Sequence, residues 1–176
     1  MTNDIRNLYS TQIFEIKETL KPYELKKIDN TSNKDINSIL LTKIKEKLGN
    51  KCNDIGFVSK DSIEIVSRSI GTINTSHFNG DMYFNVKVRA NICIPSEGTK
   101  LKCKVIGRNR IGIYAMANPI HIILSSTHHS NNTELFNIFN LIDKDDLLTV
   151  EIINYKFILN SHHIQVIEKL ISKNSK

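Results

Sequence analysis

The sequence predicts an α+β protein in which a β-α-β-β-β half precedes a half built almost entirely of strands. Three observations predict this class. Apolar residues recur at helical spacing between residues 36 and 48. Apolar and polar residues alternate from Met82 to Ile94, and shorter alternating segments follow. The stretch 95–98, Pro-Ser-Glu-Gly, is the predicted boundary between domains 1–95 and 96–176, because proline cannot continue a central strand.

The helix of the first half is predicted over residues 36–48. Lysines fill its last turns, where positive charge complements the helix dipole, and Gly49 follows as a C-cap. Ser32 and Asp35 precede it as a variant of the capping box. These end signals agree with the apolar spacing, so we expect an amphipathic helix here.

Four strands surround this helix. The first is predicted over 12–20 and ends at Pro22. Two short strands are expected around 55–57 and 63–65, and the long strand 82–94 completes the first half.

The second half is predicted to hold five short strands. They lie at 101–105, 112–116, 120–124, 147–159 and 164–170. A helix-capable segment, 134–139, lies between the third and the fourth strand. Five strands with an insertion at this point are typical of an OB-type barrel.

Composition describes an ordinary globular protein with an excess of positive charge. The 176 residues carry 24 Lys and Arg against 18 Asp and Glu, and 40% of them are hydrophobic, which argues against disorder. Cys52, Cys93 and Cys103 are odd in number and widely spaced, so we expect no disulfide framework and an intracellular location. We also expect no secretory signal and no membrane-spanning segment.

Five cations lie within eleven residues at the start of the second half, and Glu97 is the nearest acid. This basic strip consists of Lys100, Lys102, Lys104, Arg108 and Arg110. Alternation places the three lysines on one side of a strand, where they would attract phosphates. Tyr114 on the next strand would stack a base if it faces outward. The alternative is a solvated edge whose lysines prevent sheet pairing.

Other reactive residues do not form a recognisable site. The histidine pairs 128–129 and 162–163 lack the spacing of metal ligands, and the acidic residues within 143–146 are interpreted as a solvated turn. The cysteines are interpreted as small core residues. We therefore predict no catalytic residue, metal or cofactor, and an enzyme on this scaffold has no convergent polar pocket to use.

Many weak motifs appear in the order of one known family. The sequence resembles the stalk subunit of multisubunit RNA polymerases, a family that includes the seventh subunit of RNA polymerase II and its archaeal counterpart. The matching segments are 19–22 (Thr-Leu-Lys-Pro), Gly49, Cys52, 56–57, 63–65, 84–90 (Phe-Asn-Val-Lys-Val-Arg-Ala), Pro95, Gly98, 103–105, 112–114 and 164–167. The residue order in 77–81 and 93–98 is most similar to versions from large DNA viruses.

The resemblance implies a non-catalytic polymerase subunit. Its first half would be an RNP-like domain that docks on the core subunits, and its S1-type barrel would contact nascent single-stranded RNA. It would act with the polymerase in the nucleus or cytoplasm, and in the virion if the source is viral. Whether a second stalk subunit joins it is left open.

The resemblance also implies two docking segments in the first half. They comprise Leu20, Pro22 and Tyr23 in one and Ser69, Ile70, Gly71 and Thr72 in the other. The main alternative function is a free-standing S1/OB protein that binds single-stranded RNA. Such a protein would have no need of these docking segments.

Overall fold

The computed structural model describes residues 5–26, 35–73, 79–126 and 133–174. The elements of the first half are β1 (Tyr9–Leu20), α1 (Pro22–Leu25), α2 (Ile36–Leu48), β2 (Lys51–Asn53), β3 (Gly56–Val58), β4 (Glu64–Arg68), β5 (Thr72–Ile73) and β6 (Met82–Cys93). Those of the second half are β7 (Lys100–Arg108), β8 (Gly112–Ala117), β9 (Ile120–Ser125), α3 (Thr133–Asn140), β10 (Leu147–Lys156) and β11 (Ile164–Asn174). The described part therefore has the mixed α and β content that was predicted.

The chain divides into two compact units, and neither is continuous in sequence. The barrel unit contains everything from Cys93 onward, together with Asn50–Phe57 and the segment up to Ser10. The second unit contains Thr11–Gly49 and Val58–Ile92. The predicted domains are residues 1–95, for docking, and residues 96–176, for the barrel. These bounds and the docking role stay predictions.

The barrel unit confirms the predicted five-stranded barrel. Its strands close in the order β10-β11-β9-β8-β7, and β7 pairs with β10 to complete the circle. Neighbouring strands are antiparallel except for β9 and β11, which are parallel. The helix α3 lies between the third and fourth barrel strands, as the sequence predicted.

The barrel core extends beyond the barrel strands. Alternate residues of β7 to β11 fill its interior, since one face of each strand is buried. Leu8, Cys52, Phe57 and Cys93, which come from the first half of the sequence, join the same apolar cluster. Segment 50–57 therefore belongs to the barrel structurally, which the strand pattern did not indicate.

The three cysteines are buried and unpaired, as predicted for small core residues. Burial raises the pKa of Cys52 to about 11, and that of Cys93 to about 12 with a smaller effect of Cys52. Burial, together with Glu168, likewise raises the pKa of Cys103 to about 12. All three thiols therefore stay protonated at neutral pH, which removes the nucleophilic thiolate form.

In the second unit, β6 confirms the predicted alternation. Phe84, Val86, Val88 and Ala90 are buried, and the residues between them are exposed. The short strands β4 and β5 pair with β6 in antiparallel register. The resemblance of this half to an RNP-like domain stays a prediction.

The helix α2 has the predicted bounds, and its ends explain why. Asp35 is the N-cap, and its Oδ1 accepts a hydrogen bond of 2.7 Å from the Ser38 N–H. Ser32 lies outside the described residues. Gly49 caps the C-terminus with a negative φ of −66°, so a left-handed turn is not the reason for glycine. A Cβ there would lie 2.4 Å from the Lys45 carbonyl oxygen, which leaves no space for a side chain.

Glu168 of β11 is an unusual member of the barrel core. Its side chain is fully buried, and neither carboxyl oxygen has a hydrogen-bond partner among the described residues. Burial raises its pKa from 4.5 to about 8, so the folded protein holds the neutral acid at pH 7. The unfolded chain ionises this group above pH 4.5, so Glu168 lowers the free energy of unfolding progressively between pH 4.5 and 8.

Replacing this acid by an apolar residue should remove that pH dependence. We expect Glu168→Met to raise the free energy of unfolding, by a margin that grows by up to about 1.4 kcal/mol per pH unit across this range. Denaturant unfolding at pH 5, 6, 7 and 8 measures it. Gln165→Met, on the outer side of the same strand, is the control and should show no such growth, because neither side chain titrates. A margin that stays constant with pH for Glu168→Met would contradict the expectation.

Candidate nucleic-acid interface and docking end

The strand β7 presents the lysines of the basic strip as predicted. Lys100, Lys102 and Lys104 are exposed, and the residues between them are buried. This arrangement follows from the alternation of side chains along a strand that has one face in the core. The barrel thus carries a row of positive charge on its outer surface.

The cations of the strip differ in their contacts. The side chains of Lys100, Lys102 and Arg110 have no hydrogen-bond or ion-pair partner among the described residues. Lys104 Nζ lies 2.8 Å from Asp145 Oδ1, but both side chains are more than half exposed. Such exposed pairs are weak, so Lys104 can exchange its partner for a phosphate at little cost.

Arg108 is held by α3. Its Nη1 donates to the Asn140 carbonyl oxygen at 3.1 Å, and its Nη2 donates to Asn140 Oδ1 at 3.0 Å. The guanidinium also lies 5.5 Å from the centre of the Phe139 ring. Arg108 therefore supplies hydrogen bonds to the C-terminal end of α3. Carbonyl groups at a helix C-terminus lack partners within the helix, and positive charge is favourable there. This cation is the least available of the five for RNA.

Tyr114 lies on the outer side of β8 and is half-buried. Its hydroxyl accepts a hydrogen bond of 3.0 Å from Asn109 Nδ2, while Asn109 Oδ1 accepts from the N–H groups of Ile111 and Gly112. Asn109 therefore shapes the turn that exposes Arg110. Gly112 is required at the end of this turn, because a Cβ there would lie 2.1 Å from the Leu124 carbonyl oxygen.

A histidine pair on the outer barrel surface was not found from the sequence. The rings of His121 and His163 stack with centroids 3.8 Å apart and an angle of 10°. Burial, and secondarily His163, lower the pKa of His121 below its ordinary value. The parallel pairing of β9 and β11 brings these distant residues together. No group of three potential metal ligands occurs in the described ranges, and His128 and His129 lie outside them.

The loop between β10 and β11 is engaged within the barrel unit. The Cys52 N–H donates to the Ser161 carbonyl oxygen at 2.8 Å, and the Asn160 N–H donates to the Cys52 carbonyl oxygen at 2.9 Å. This loop is one of the elements with which OB barrels commonly bind oligonucleotides. Its backbone pairing with β2 fixes the loop, while the side chains of residues 158–160 stay exposed.

The acidic residues within 143–146 form a turn. Asp146 Oδ2 accepts from the Asp143 N–H at 2.8 Å and pairs with Lys173 Nζ at 2.6 Å, and Asp145 pairs with Lys104. Asp145 has a φ of 71°, a conformation that Asp tolerates in turns. These contacts agree with the interpretation of a turn.

The two predicted docking segments both belong to the second unit, and each has a neighbour within residues 80–83; we name the two segments together the docking end. Thr72 pairs with Tyr83 at the start of β6, directly after the turn that holds Gly80. Gly80 has a φ of 74°, and a Cβ there would lie 3.1 Å from Pro22 Cγ. Residues 80–83 therefore neighbour both segments, Gly80 on the side of Pro22 and Tyr83 on the side of Thr72.

The residues of the docking end differ in exposure. Ile70 is 88% exposed and Tyr23 is 58% exposed, whereas Leu20 is fully buried and contributes to the core. Ser69 exchanges two hydrogen bonds with Asn85, of 2.8 and 2.9 Å, which fixes the backbone beside Ile70. Gly71 lies against Phe84, where a Cβ would be 2.7 Å from the ring.

Two lysines of α2 support this end. Lys43 Nζ donates to the Thr19 carbonyl oxygen at 2.6 Å and to Glu24 Oε2 at 2.8 Å, and Lys47 pairs with Glu18. Partial burial acts to raise the pKa of Glu24, but hydrogen bonds from Lys21 and Lys43 outweigh it and lower that pKa. The end of β1 is therefore anchored to the helix.

Comparison with known proteins supports an RNA polymerase subunit. No family model matches the chain. It is 27% identical to an Acanthamoeba polyphaga mimivirus protein named "Putative DNA-directed RNA polymerase subunit", over 94% of this chain and 83% of that protein. The similarity covers far more than the barrel, which matters because barrels of this type serve many functions. In the described part, no helix has the length and apolar character needed to cross a membrane.

The role of Arg108 gives a test of this geometry. Arg108→Gln should lower the free energy of unfolding by about 1–3 kcal/mol, because two charged hydrogen bonds to the end of α3 are lost. Lys102→Gln, on the same strand but without a partner among the described residues, should change it by less than about 0.5 kcal/mol. Thermal or denaturant unfolding measures both. Equal effects would mean that Arg108 does not support α3.

Proposed function

We propose that this chain is a non-catalytic stalk subunit of a DNA-directed RNA polymerase. It docks on the core subunits through the docking end and presents its barrel to nascent single-stranded RNA. The observation that carries the proposal is the similarity to the mimivirus polymerase subunit over 94% of the chain. The proposed place of action is inside the cell with the polymerase, and also in the virion if the source is viral.

Exposed apolar residues support the docking role. Tyr23, Ile70 and Ile73 are all more than half exposed, and they belong to elements that meet around the start of β6. Clustered apolar side chains at a surface are typical of protein interfaces, where aromatic residues are enriched. The hydrogen bonds of Ser69 and the anchoring of β1 hold this surface in shape, so little ordering is required when a partner binds.

The free cations of the basic strip support the RNA contact. The side chains of Lys100, Lys102 and Arg110 are exposed and have no hydrogen-bond or ion-pair partner among the described residues. Contacts between such cationic side chains and phosphates contribute to affinity but do not distinguish one base from another. A subunit that meets each emerging transcript needs such sequence-tolerant binding, and we therefore assign these three residues the main role.

Docking can be tested with one double variant. Tyr23→Glu combined with Ile70→Glu should reduce co-purification of polymerase core subunits about tenfold or more, because charge enters an apolar interface. Ile13→Glu is the matched control, since Ile13 is also 58% exposed in the same unit but lies in the middle of β1. Affinity capture with mass spectrometry measures recovery and also detects a second stalk subunit.

Unchanged recovery with the double variant would remove the docking assignment. RNA binding by a wild-type chain that captures no polymerase subunits would instead favour a free-standing S1/OB protein.

RNA contact can be tested through its salt dependence. Each phosphate contact with a single strand adds about 0.7 to the slope of log affinity against log salt. Replacing the three free cations by Gln should therefore lower the slope by roughly two units, equally for unrelated sequences. The variant changes Lys100, Lys102 and Arg110. The control changes three exposed lysines elsewhere: Lys26, Lys87 and Lys144.

Anisotropy titrations at several salt concentrations measure these slopes. If both triple variants lower the slope equally, the attraction is unspecific and the basic strip is not the site. If the slope is unchanged but the strip variant aggregates, the lysines serve to prevent edge pairing.

A further inference from the structure

The turn before β6 contains an asparagine followed by glycine, Asn79 and Gly80, a pair that occurs once in the sequence. Both residues are exposed, and Gly80 has a φ of 74°, which glycine adopts without strain. Neither residue belongs to the basic strip or to the docking end. The side-chain amide of an asparagine can be attacked by the next backbone nitrogen, and glycine leaves that nitrogen unshielded because it has no Cβ.

The side chain of Asn79 is held beside the backbone of this turn. Its Oδ1 accepts a hydrogen bond of 3.1 Å from the Asp81 N–H, and its Nδ2 donates one of 2.8 Å to Asp81 Oδ2. The first bond forms an Asx turn, a closed ring of atoms that includes both the Asn79 Cγ and the Gly80 nitrogen. It also draws electrons toward Oδ1, which makes Cγ more electrophilic. The carbon that would be attacked and the attacking nitrogen are therefore kept close.

The Gly80 nitrogen is available to react, because its N–H has no hydrogen-bond partner among the described residues. Asn37 and Asn160 are also exposed, and each is followed by a small residue, serine. There the following N–H groups donate to Asp35 Oδ1 at 2.7 Å and to the Ile158 carbonyl oxygen at 2.9 Å. A backbone nitrogen whose proton is engaged in this way is a poorer nucleophile. These two asparagines are therefore protected where Asn79 is not.

Two further asparagines lie in Asx turns. Asn53 Oδ1 accepts from the Ile55 N–H at 3.0 Å, and Asn109 Oδ1 accepts from the Ile111 N–H at 2.8 Å. Aspartate and arginine follow these asparagines, and their side chains shield the backbone nitrogen. In the part of the chain that the structure describes, the combination of an Asx turn, a following glycine and an unengaged N–H occurs at Asn79.

We propose that Asn79 is a site of spontaneous covalent modification, at which it is converted into isoaspartate and aspartate. The Gly80 nitrogen loses its proton and bonds to Cγ. The bond between Cγ and Nδ2 breaks, ammonia leaves with that proton, and a cyclic imide remains. Water then adds to one of the two imide carbonyl carbons and breaks its bond to the Gly80 nitrogen, which regains a proton. Opening at Cγ gives aspartate, and opening at the Asn79 backbone carbonyl gives isoaspartate.

The net reaction consumes water and releases ammonia, so it needs no oxidant, reductant or cofactor. Its products add a carboxylate where one is already present. Nδ2 now donates to Asp81 Oδ2 at 2.8 Å, and the aspartate product places an oxygen there, so the two carboxylates repel. Isoaspartate lengthens the backbone beside Gly80, whose position close to Pro22 Cγ leaves little space. The reaction itself does not depend on the proposed function.

Incubation of the full chain at neutral pH tests the proposal. Peptide mass mapping should find acid in place of amide at residue 79, as a mixture of isoaspartate and aspartate. The rate should be about tenfold or more above that at each protected or shielded asparagine (Asn37, Asn160, Asn53 and Asn109). It should rise with pH, because the nitrogen attacks in its deprotonated form.

Asn79→Gln should abolish this product, because the longer side chain would have to close a larger ring. Asn109→Gln changes an asparagine in another Asx turn and is the matched control, which should leave the rate at residue 79 unchanged.

The same measurement in urea, with the chain unfolded, separates the folded turn from the sequence. The folded chain should convert at residue 79 at least as fast as the unfolded chain, because the Asx turn keeps the reacting atoms close. Slower conversion in the folded chain would mean that the turn protects the amide. Absence of acid at residue 79, or an equal amount of acidic protein in Asn79→Gln, would place the reaction elsewhere. Each of these outcomes overturns the proposal.

Discussion

The pairing of β7 with β10 closes the barrel, and the candidate RNA-binding surface depends on this closure. It sets Lys100 opposite Glu151 and buries the apolar row that begins at Leu101. If the register slipped by one residue, the two faces of the strand would be exchanged. The lysine side chains would then be buried, which is very unfavourable for charged groups. Burial of the apolar side chains in the barrel core therefore also places the positively charged lysine side chains on the outside. The lysine row and the core are two consequences of one register.

Within the basic strip, structural and binding roles are divided among similar residues. The Arg108 side chain is committed to the end of α3, while the side chains of Lys100, Lys102 and Arg110 have no hydrogen-bond or ion-pair partner among the described residues. Lys104 is intermediate, because its pair with Asp145 is exposed to solvent. Charge in a sequence thus overstates the charge available to a ligand, since part of it stabilises the fold.

The barrel unit is assembled from distant parts of the chain. Cys52 and Phe57 enter its core, and the backbone of Cys52 pairs with the loop at 160–161. This pairing fixes the backbone of a loop that OB barrels commonly use for ligands, while the side chains of residues 158–160 stay exposed. In the second unit, Gly71 packs against Met82 and Phe84 and Gly80 packs against Pro22, so both predicted docking segments adjoin residues 80–84.

The sequence by itself determined the helix 36–48, the alternation of β6 and β7 and the five barrel strands, because these depend on local periodicity and on residues near each element. It also determined which lysines face outward. Only the tertiary structure decided that Arg108 supports α3, that Leu20 is buried and that His121 stacks on His163. These features join residues that lie far apart in the chain. Strand register and barrel closure create such contacts, and a periodic pattern contains no information about which distant strand will become a neighbour.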